Sequence, residues 1–182
     1  MSTPPLFFLA HLPDGRSVEL NGDEGRHAAR AMRLGVGEPV WVGDGCGALL
    51  DCVVTTVRTD GLGLEILGRH EVPVPDPWLV VVQAIPKGDR GELAVELMTE
   101  LGVDEIVPWS ATRSIAQWHG ERGAKAQLKW QRTAREAAKQ SRRARVPVVT
   151  EPHTTAAVST RLAGGASLVL HEAAAETLVD AA

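Results

Sequence analysis

Residues 72–85 read Val72-Pro73-Val74-Pro75-Asp76-Pro77-Trp78-Leu79-Val80-Val81-Val82-Gln83-Ala84-Ile85, and they divide the chain into two kinds of sequence. Three alternating prolines lack the donors that a helix or a strand ladder needs, so they predict an extended, semi-rigid connector. The apolar run from Trp78 to Ile85 does not alternate, as expected of a strand buried on both faces of a parallel sheet. A boundary is therefore expected here, with one domain over residues 1–72 and a second over 73–182.

Upstream of the connector the sequence reads mostly as strands. Leu6 to Ala10 is a short apolar stretch, Ser17 to Leu20 alternates, and Glu38 to Val42 leads into the turn Gly43-Asp44-Gly45. Ala48 to Val57 is rich in β-branched residues and runs into the turn signal Asp60-Gly61, after which Leu62 to Leu67 alternates again. One helix interrupts, with Asp23 as its expected cap and Gly35 as its stop. Short strands, tight turns and one helix predict a small β-barrel.

Downstream, strand and helix alternate. Glu92 to Leu101 is expected to be helical, with Leu93, Leu97 and Leu101 forming the core-facing stripe and Gly102 ending it. Val103 to Trp109 holds the next strand, and a long helix runs from about Glu121 to Arg142, with Ala124, Leu128 and Ala138 expected to face the core. Val146 to Val149 is extended, Thr155 to Leu162 is a short helix, and Ser167 to Leu170 reads as a strand ending in His171-Glu172. This pattern predicts an α/β domain with a mainly parallel sheet, whose ligands sit beyond the carboxyl ends of its strands. A strand finishing so close to Ala182 predicts that such a domain continues further.

Composition narrows the function. Only two cysteines occur, Cys46 and Cys52, with no disulfide framework or zinc spacing, which suits a reducing compartment and gives no metal site. No segment has the length of a membrane span, and the N-terminal apolar stretch is too short for a signal peptide. The net charge of −4 hides an asymmetry: Arg113 to Arg145 carries ten basic residues against Glu121 and Glu136, a net of +8, leaving −12 elsewhere. An acidic chain with one unrelieved basic segment is built to meet a polyanion at a chosen place.

Particular residues carry that expectation. Pro86-Lys87-Gly88-Asp89-Arg90 leads into a helix N-terminus, where Lys87 and Arg90 face a phosphate. Its plainer reading is a loop capped by Asp89, and the P-loop pattern is absent. On the long helix Lys125, Lys129, Arg132, Lys139 and Arg143 fall near one stripe, and the run closes on Gln140-Ser141-Arg142-Arg143-Ala144-Arg145. The plainer reading is a solvated face, but like charge without interleaved acids favours a polyanion. His27, Arg30 and Arg33 recur at three-residue steps in the first domain, the arginines sharing a face suited to phosphates.

In order along the chain, these segments resemble the RsmE family, bacterial methyltransferases of the N3 atom of a uridine in 16S rRNA. Gln83 to Arg90 followed by Thr99-Glu100-Leu101-Gly102-Val103 resembles the start of the family's catalytic domain. His27 with Arg33 resembles its His-x5-Arg, and Arg113-Ser114 with Trp118 its Arg-Ser loop. Glu136-Ala137-Ala138, Gln140-Ser141, Arg143, Arg145 and Pro147 resemble its Glu-Ala-Ala-x-Gln-Ser segment, and Leu168 to Glu172 its Leu-x-Leu-His-Glu strand end. The sequence departs from many members at Thr112 and Leu97.

The resemblance implies a PUA-like RNA-binding barrel followed by a SPOUT domain. It implies a cytoplasmic homodimer that uses S-adenosylmethionine on 16S rRNA in the small ribosomal subunit. Together with the charge pattern it places the RNA on Arg30, Arg33, Lys87, Arg90, Arg113, Lys129, Arg132, Gln140, Arg142, Arg143 and Arg145, and the resemblance places the cofactor beside Leu170, His171 and Glu172. The family's Gly-Pro-Glu-Gly-Gly loop and Leu-Arg-x-Glu-Thr-Ala segment, which form its trefoil knot and most of its cofactor pocket, do not occur in these 182 residues. The expectation is a SPOUT domain cut before the knot, inactive by itself. The competing expectation is a non-catalytic RNA-binding protein or an inactive truncated copy. No general base is assigned, and no metal or membrane is expected.

Overall fold

A computed structural model describes residues 3–171, 173–175, 177 and 179. Its first half is a five-stranded sheet of β1 (Leu6–Phe8), β2 (Ser17–Leu20), β3 (Pro39–Gly43), β4 (Ala48–Arg58) and β5 (Gly61–Glu71). The strand order is β1-β3-β4-β5-β2, with β1 parallel to β3 and the other pairs antiparallel. Alternation sets the buried face: Val18 and Leu20 point inward from β2, and Val40 and Val42 from β3. They join Phe7, Leu50, Val54, Leu62 and Leu64 in one apolar cluster. Two register shifts in the β4–β5 ladder, at Asp51/Cys52 and Val54/Thr56, bend this long hairpin.

Helix α1 (Gly22–Arg26) continues into a π-helical turn over His27–Ala31. Asp23 does not cap it. Asn21 occupies the N-cap, and Asp23 sits in the first turn, where its carboxylate complements the helix dipole and pairs with Arg26.

The second half is a parallel sheet. Strand β6 (Val80–Ala84) pairs with β7 (Glu105–Ser110), and β7 pairs with β8 (Val148–Val149) and β9 (His153–Thr154). Helices α2 (Arg90–Glu100), α3 (Gly120–Gln140) and α4 (Thr155–Leu162) complete the alternation. Val95, Met98, Val103, Ile106, Trp130, Ala134 and Val149 form its core. Gly91 permits the closest packing there, since a Cβ at this position would lie 2.7 Å from the Trp130 indole.

Four sequence expectations fail here for packing reasons. The 78–85 run is not buried on both faces: β6 is an edge strand, half-buried throughout, and Trp78 and Leu79 precede it exposed. On α2 the buried positions are Gly91, Val95, Met98 and Thr99, so Leu93, Leu97 and Leu101 lie outside, Leu101 at 82% exposure. On α3 the core face is Gly123, Trp130, Ala134, Ala137 and Ala138, which leaves Ala124 and Leu128 exposed. Residues 166–171 are irregular rather than a strand: Leu168, Val169 and Leu170 pair with no neighbouring strand among the described residues and are exposed.

The end of α3 joins the two sheets. Ala138 and Ala144 pack with Leu6, Phe8 and Leu49, and the Arg135 guanidinium lies 4.9 Å from the Phe8 ring centroid. Val146 N–H donates to the Gly45 carbonyl at 2.8 Å. The Lys139 ammonium, nearly buried, donates to Glu24 of α1 at 2.9 Å and to Glu136 on its own helix.

Candidate functional site

The carboxyl ends of β6 and β7 are built by two loops that hold each other. Ser114 Oγ donates to the Ile85 carbonyl at 3.2 Å, which brings the loop carrying Arg113 to the turn carrying Lys87. Gln117 Nε2 closes the same loop on Ala111 O and Ser114 O, and Trp118 meets Trp130 edge to face, with ring centroids 4.8 Å apart. Arg90 is the first residue of α2, with Asp89 at the N-cap. From α3, Lys129 reaches Glu92 at 2.8 Å and Asp89 at 3.9 Å. The Glu92 hydrogen bond, with its charge, holds the Lys129 ammonium above the usual lysine range, so it stays protonated at neutral pH. Lys87, Arg90, Arg113 and Lys129 thus converge on one end of the sheet, and all four are exposed.

Further along α3, Arg122, Lys125 and Arg132 stand exposed on the stripe that Lys129 shares. Arg142, Arg143 and Arg145 lie elsewhere. Fourteen residues of helix and turn separate Lys129 from Arg143, about 20 Å at helical rise. There the side chains are engaged by the protein itself. Arg143 Nη1 donates to Thr99 O at 2.9 Å and Val103 O at 2.7 Å, and its Nη2 meets Asp104 at 3.0 Å. Arg145 binds Glu71 at 3.0 Å and the Val72 carbonyl at 2.7 Å. Arg142 takes the left-handed conformation, φ 60°, and donates through Nη1 to Lys139 O at 2.6 Å. Gln140 is exposed.

In the first half, Arg30 and Arg33 are both exposed beside the π-helical turn. Arg30 Nε donates to Thr59 O at 2.9 Å, and Arg33 is left-handed with φ 55°. Leu170 is 80% exposed and His171 is exposed, and Glu172 lies outside the described residues. The Cys52 thiol offers no nucleophile: it is buried, and burial pushes its pKa up to about 11, while the exposed Cys46 lies between β3 and β4 of the first sheet. Among the described residues no three metal-ligating side chains cluster, and no helix is long and apolar enough to cross a membrane.

This arrangement has known relatives. The RNA methyltransferase domain family matches residues 74–182. The ribosomal RNA small subunit methyltransferase E of Mycobacterium tuberculosis is 45% identical over 183 residues, spanning 97% of this chain and 70% of the relative. The chain belongs to the ribosomal RNA small subunit methyltransferase E family. A crystal structure of a family member from Neisseria gonorrhoeae bound to S-adenosylmethionine is 31% identical, with a TM-score of 0.69 over 82% of this chain and 62% of that one. A methyltransferase structure from Legionella pneumophila is 23% identical and shares the fold, with a TM-score of 0.80 over 98% of this chain and 75% of that one. Two features of this family member had no signal in its sequence: the buried Lys139–Glu24 tie, and a cleft in which Trp41 and His70 face the segment after α3. Both depend on side chains more than 60 residues apart, which no local pattern reports.

Proposed function

We propose that the protein transfers a methyl group from S-adenosylmethionine to the N3 atom of a uridine in 16S rRNA of the small ribosomal subunit, as a cytoplasmic homodimer. The observation that carries this reading is the 45% identity to the mycobacterial small-subunit methyltransferase across 97% of the chain. Residues 1–72 are read as a PUA-like RNA-binding unit and 73–182 as the SPOUT methyltransferase unit. The five-stranded sheet and the parallel sheet of the structure support this division. Lys87, Arg90, Arg113 and Lys129, with Arg122, Lys125 and Arg132 on the same stripe of α3, form the surface that holds the RNA, and Arg30 and Arg33 extend the contact onto the first unit. Uridine N3 carries a weakly acidic proton, and guanidinium groups beside the base stabilise the anion left when it departs. Arg143 and Arg145 serve the fold instead, since carboxylates and carbonyls already occupy them.

Incubating undermethylated small subunits with labelled S-adenosylmethionine and the protein should place label in 16S rRNA as N3-methyluridine, identified by nucleoside mass spectrometry. RNA binding without label would establish instead the second reading, a non-catalytic RNA-binding protein.

That second reading rests on the exposed, irregular course of residues 166–171. Leu170 and His171 do not fit a cofactor pocket as they stand. Residues 1–182 alone are therefore expected to bind S-adenosylmethionine more weakly than about 1 mM in titration calorimetry. Micromolar affinity would show that these residues assemble a pocket.

A further inference from the structure

A cleft of about 440 Å³ opens between the first sheet and the segment following α3. Its floor is apolar: Trp41 of β3, Leu49 of β4 and Pro75 of the connector. Its rim carries the Arg142 guanidinium and the His70 imidazole of β5. Trp41 packs on the Leu6–Phe8–Leu49 cluster yet is only half-buried, so part of its indole is left to the cleft. Arg142 occupies the left-handed position just past a helix end, where glycine is the default. The side chain, not the backbone, therefore accounts for an arginine there. Only its Nη1 is used on Lys139 O and Gln140 O. His70 Nδ1 lies 3.4 Å from Asp51, which orients the ring.

A flat apolar surface beside a guanidinium and an imidazole N–H donor matches a ligand with a planar face and a nearby negative charge. We propose that this cleft takes one unstacked nucleotide of single-stranded RNA, with its base against Trp41 and its phosphate toward Arg142 and His70. The volume lies within the range of small-ligand clefts, roughly 300–1,000 Å³. A paired base is held inside its helix and cannot reach Trp41, so the cleft selects unpaired RNA. This rests on the RNA-binding reading above but places a contact that the basic stripe of α3 does not provide. It also makes the junction of the two sheets part of the RNA surface.

The test uses the intact chain and a short uridine-rich single-stranded RNA, with a hairpin duplex as comparison. Trp41→Ala should weaken binding of the single strand about 5- to 150-fold, the range expected for losing one base–aromatic stack, and leave duplex binding unchanged. Trp41→Phe should restore most of the affinity. The dependence of affinity on salt should not move, because no charge is removed. Because Trp41 also packs against a core cluster, a second measurement uses the unaltered protein: 5-bromouridine in the RNA should crosslink to Trp41 or its neighbours in the cleft. Wild-type binding with equal affinity in Trp41→Ala, or crosslinks confined to other surfaces, overturns the cleft assignment alone. Failure of the wild-type chain to bind RNA overturns both this proposal and the RNA-binding reading.

Discussion

Replacing Arg143 by alanine is expected to destabilise the fold by about 3–5 kcal/mol, the cost of breaking a buried ion pair from one side. Asp104 is 3% exposed and would lose its charged partner, keeping only the Leu79 amide at 3.0 Å. The Thr99 and Val103 carbonyls, at and just past the end of α2, would lose the guanidinium at the same time, leaving Thr99 O with the Gly102 amide at 3.2 Å. One guanidinium thus closes the C-terminus of α2, fixes the start of β7 and anchors the end of α3. Domains are stable by only about 5–15 kcal/mol, so the loss takes a large share. Arg143→Lys keeps the charge but not the fork that reaches three acceptors, and should fall between the two. Urea unfolding followed by circular dichroism reads the effect, and an alanine variant with an unchanged midpoint would remove Arg143 from the fold's supports.

That arginine also shows how far the sequence could be read. Most of the order of strands and helices was legible, with the connector at 72–77 and the change of grammar after it, because periodicity and turn residues are local; the strand expected at 167–170 is absent and β9 went unread. The faces of the helices were not. Leu93, Leu97 and Leu101 make a better stripe by spacing than Val95, Met98 and Thr99, yet α3 packs on the second set through Trp130. Which stripe is buried depends on where the partner helix lies, and sequence spacing does not contain that. The basic run misled for the same reason. Ten cations in one window look alike until the acids that meet them are placed, and Glu24, Glu71 and Asp104 come from distant segments. One signal was available: Asp104 follows a helix stop at Gly102-Val103 in an apolar setting, and such an acid calls for a buried cation. The turn holding Lys87 was expected at the end of a parallel strand, where such sheets gather their loops, and the structure puts it there beside the loop holding Arg113.

The division of the basic residues into engaged and exposed sets gives the second large effect. Affinity for single-stranded RNA should fall steeply with salt, with a slope of log K against log salt near −3 if about four side chains meet phosphates. Arg122, Lys125 and Arg132 are exposed on one stripe of α3, three and seven residues apart, and none of the protein's own acids holds them in an ion pair among the described residues. Lys129 lies between them but shares its charge with Glu92 and Asp89. Replacing Arg122, Lys125 and Arg132 together by alanine should flatten the slope by about two units, since each phosphate contact on a single strand contributes roughly 0.7. The fold should survive, because the buried face of α3 is untouched. Replacing Arg16 and Arg58 should change the slope little: Arg58, at the end of β4, is paired with Glu19, and Arg16 lies in the bend before β2. A triple replacement of Arg142, Arg143 and Arg145 would not serve here, because it removes the Asp104 and Glu71 partners and perturbs the fold along with any RNA contact. Binding measured by fluorescence anisotropy at several salt concentrations decides the matter. An unchanged slope in the Arg122, Lys125 and Arg132 variant would make this face of α3 a solvated surface and confine the phosphate contacts to the remaining cations, with Lys87, Arg90 and Arg113 at the ends of the parallel strands foremost.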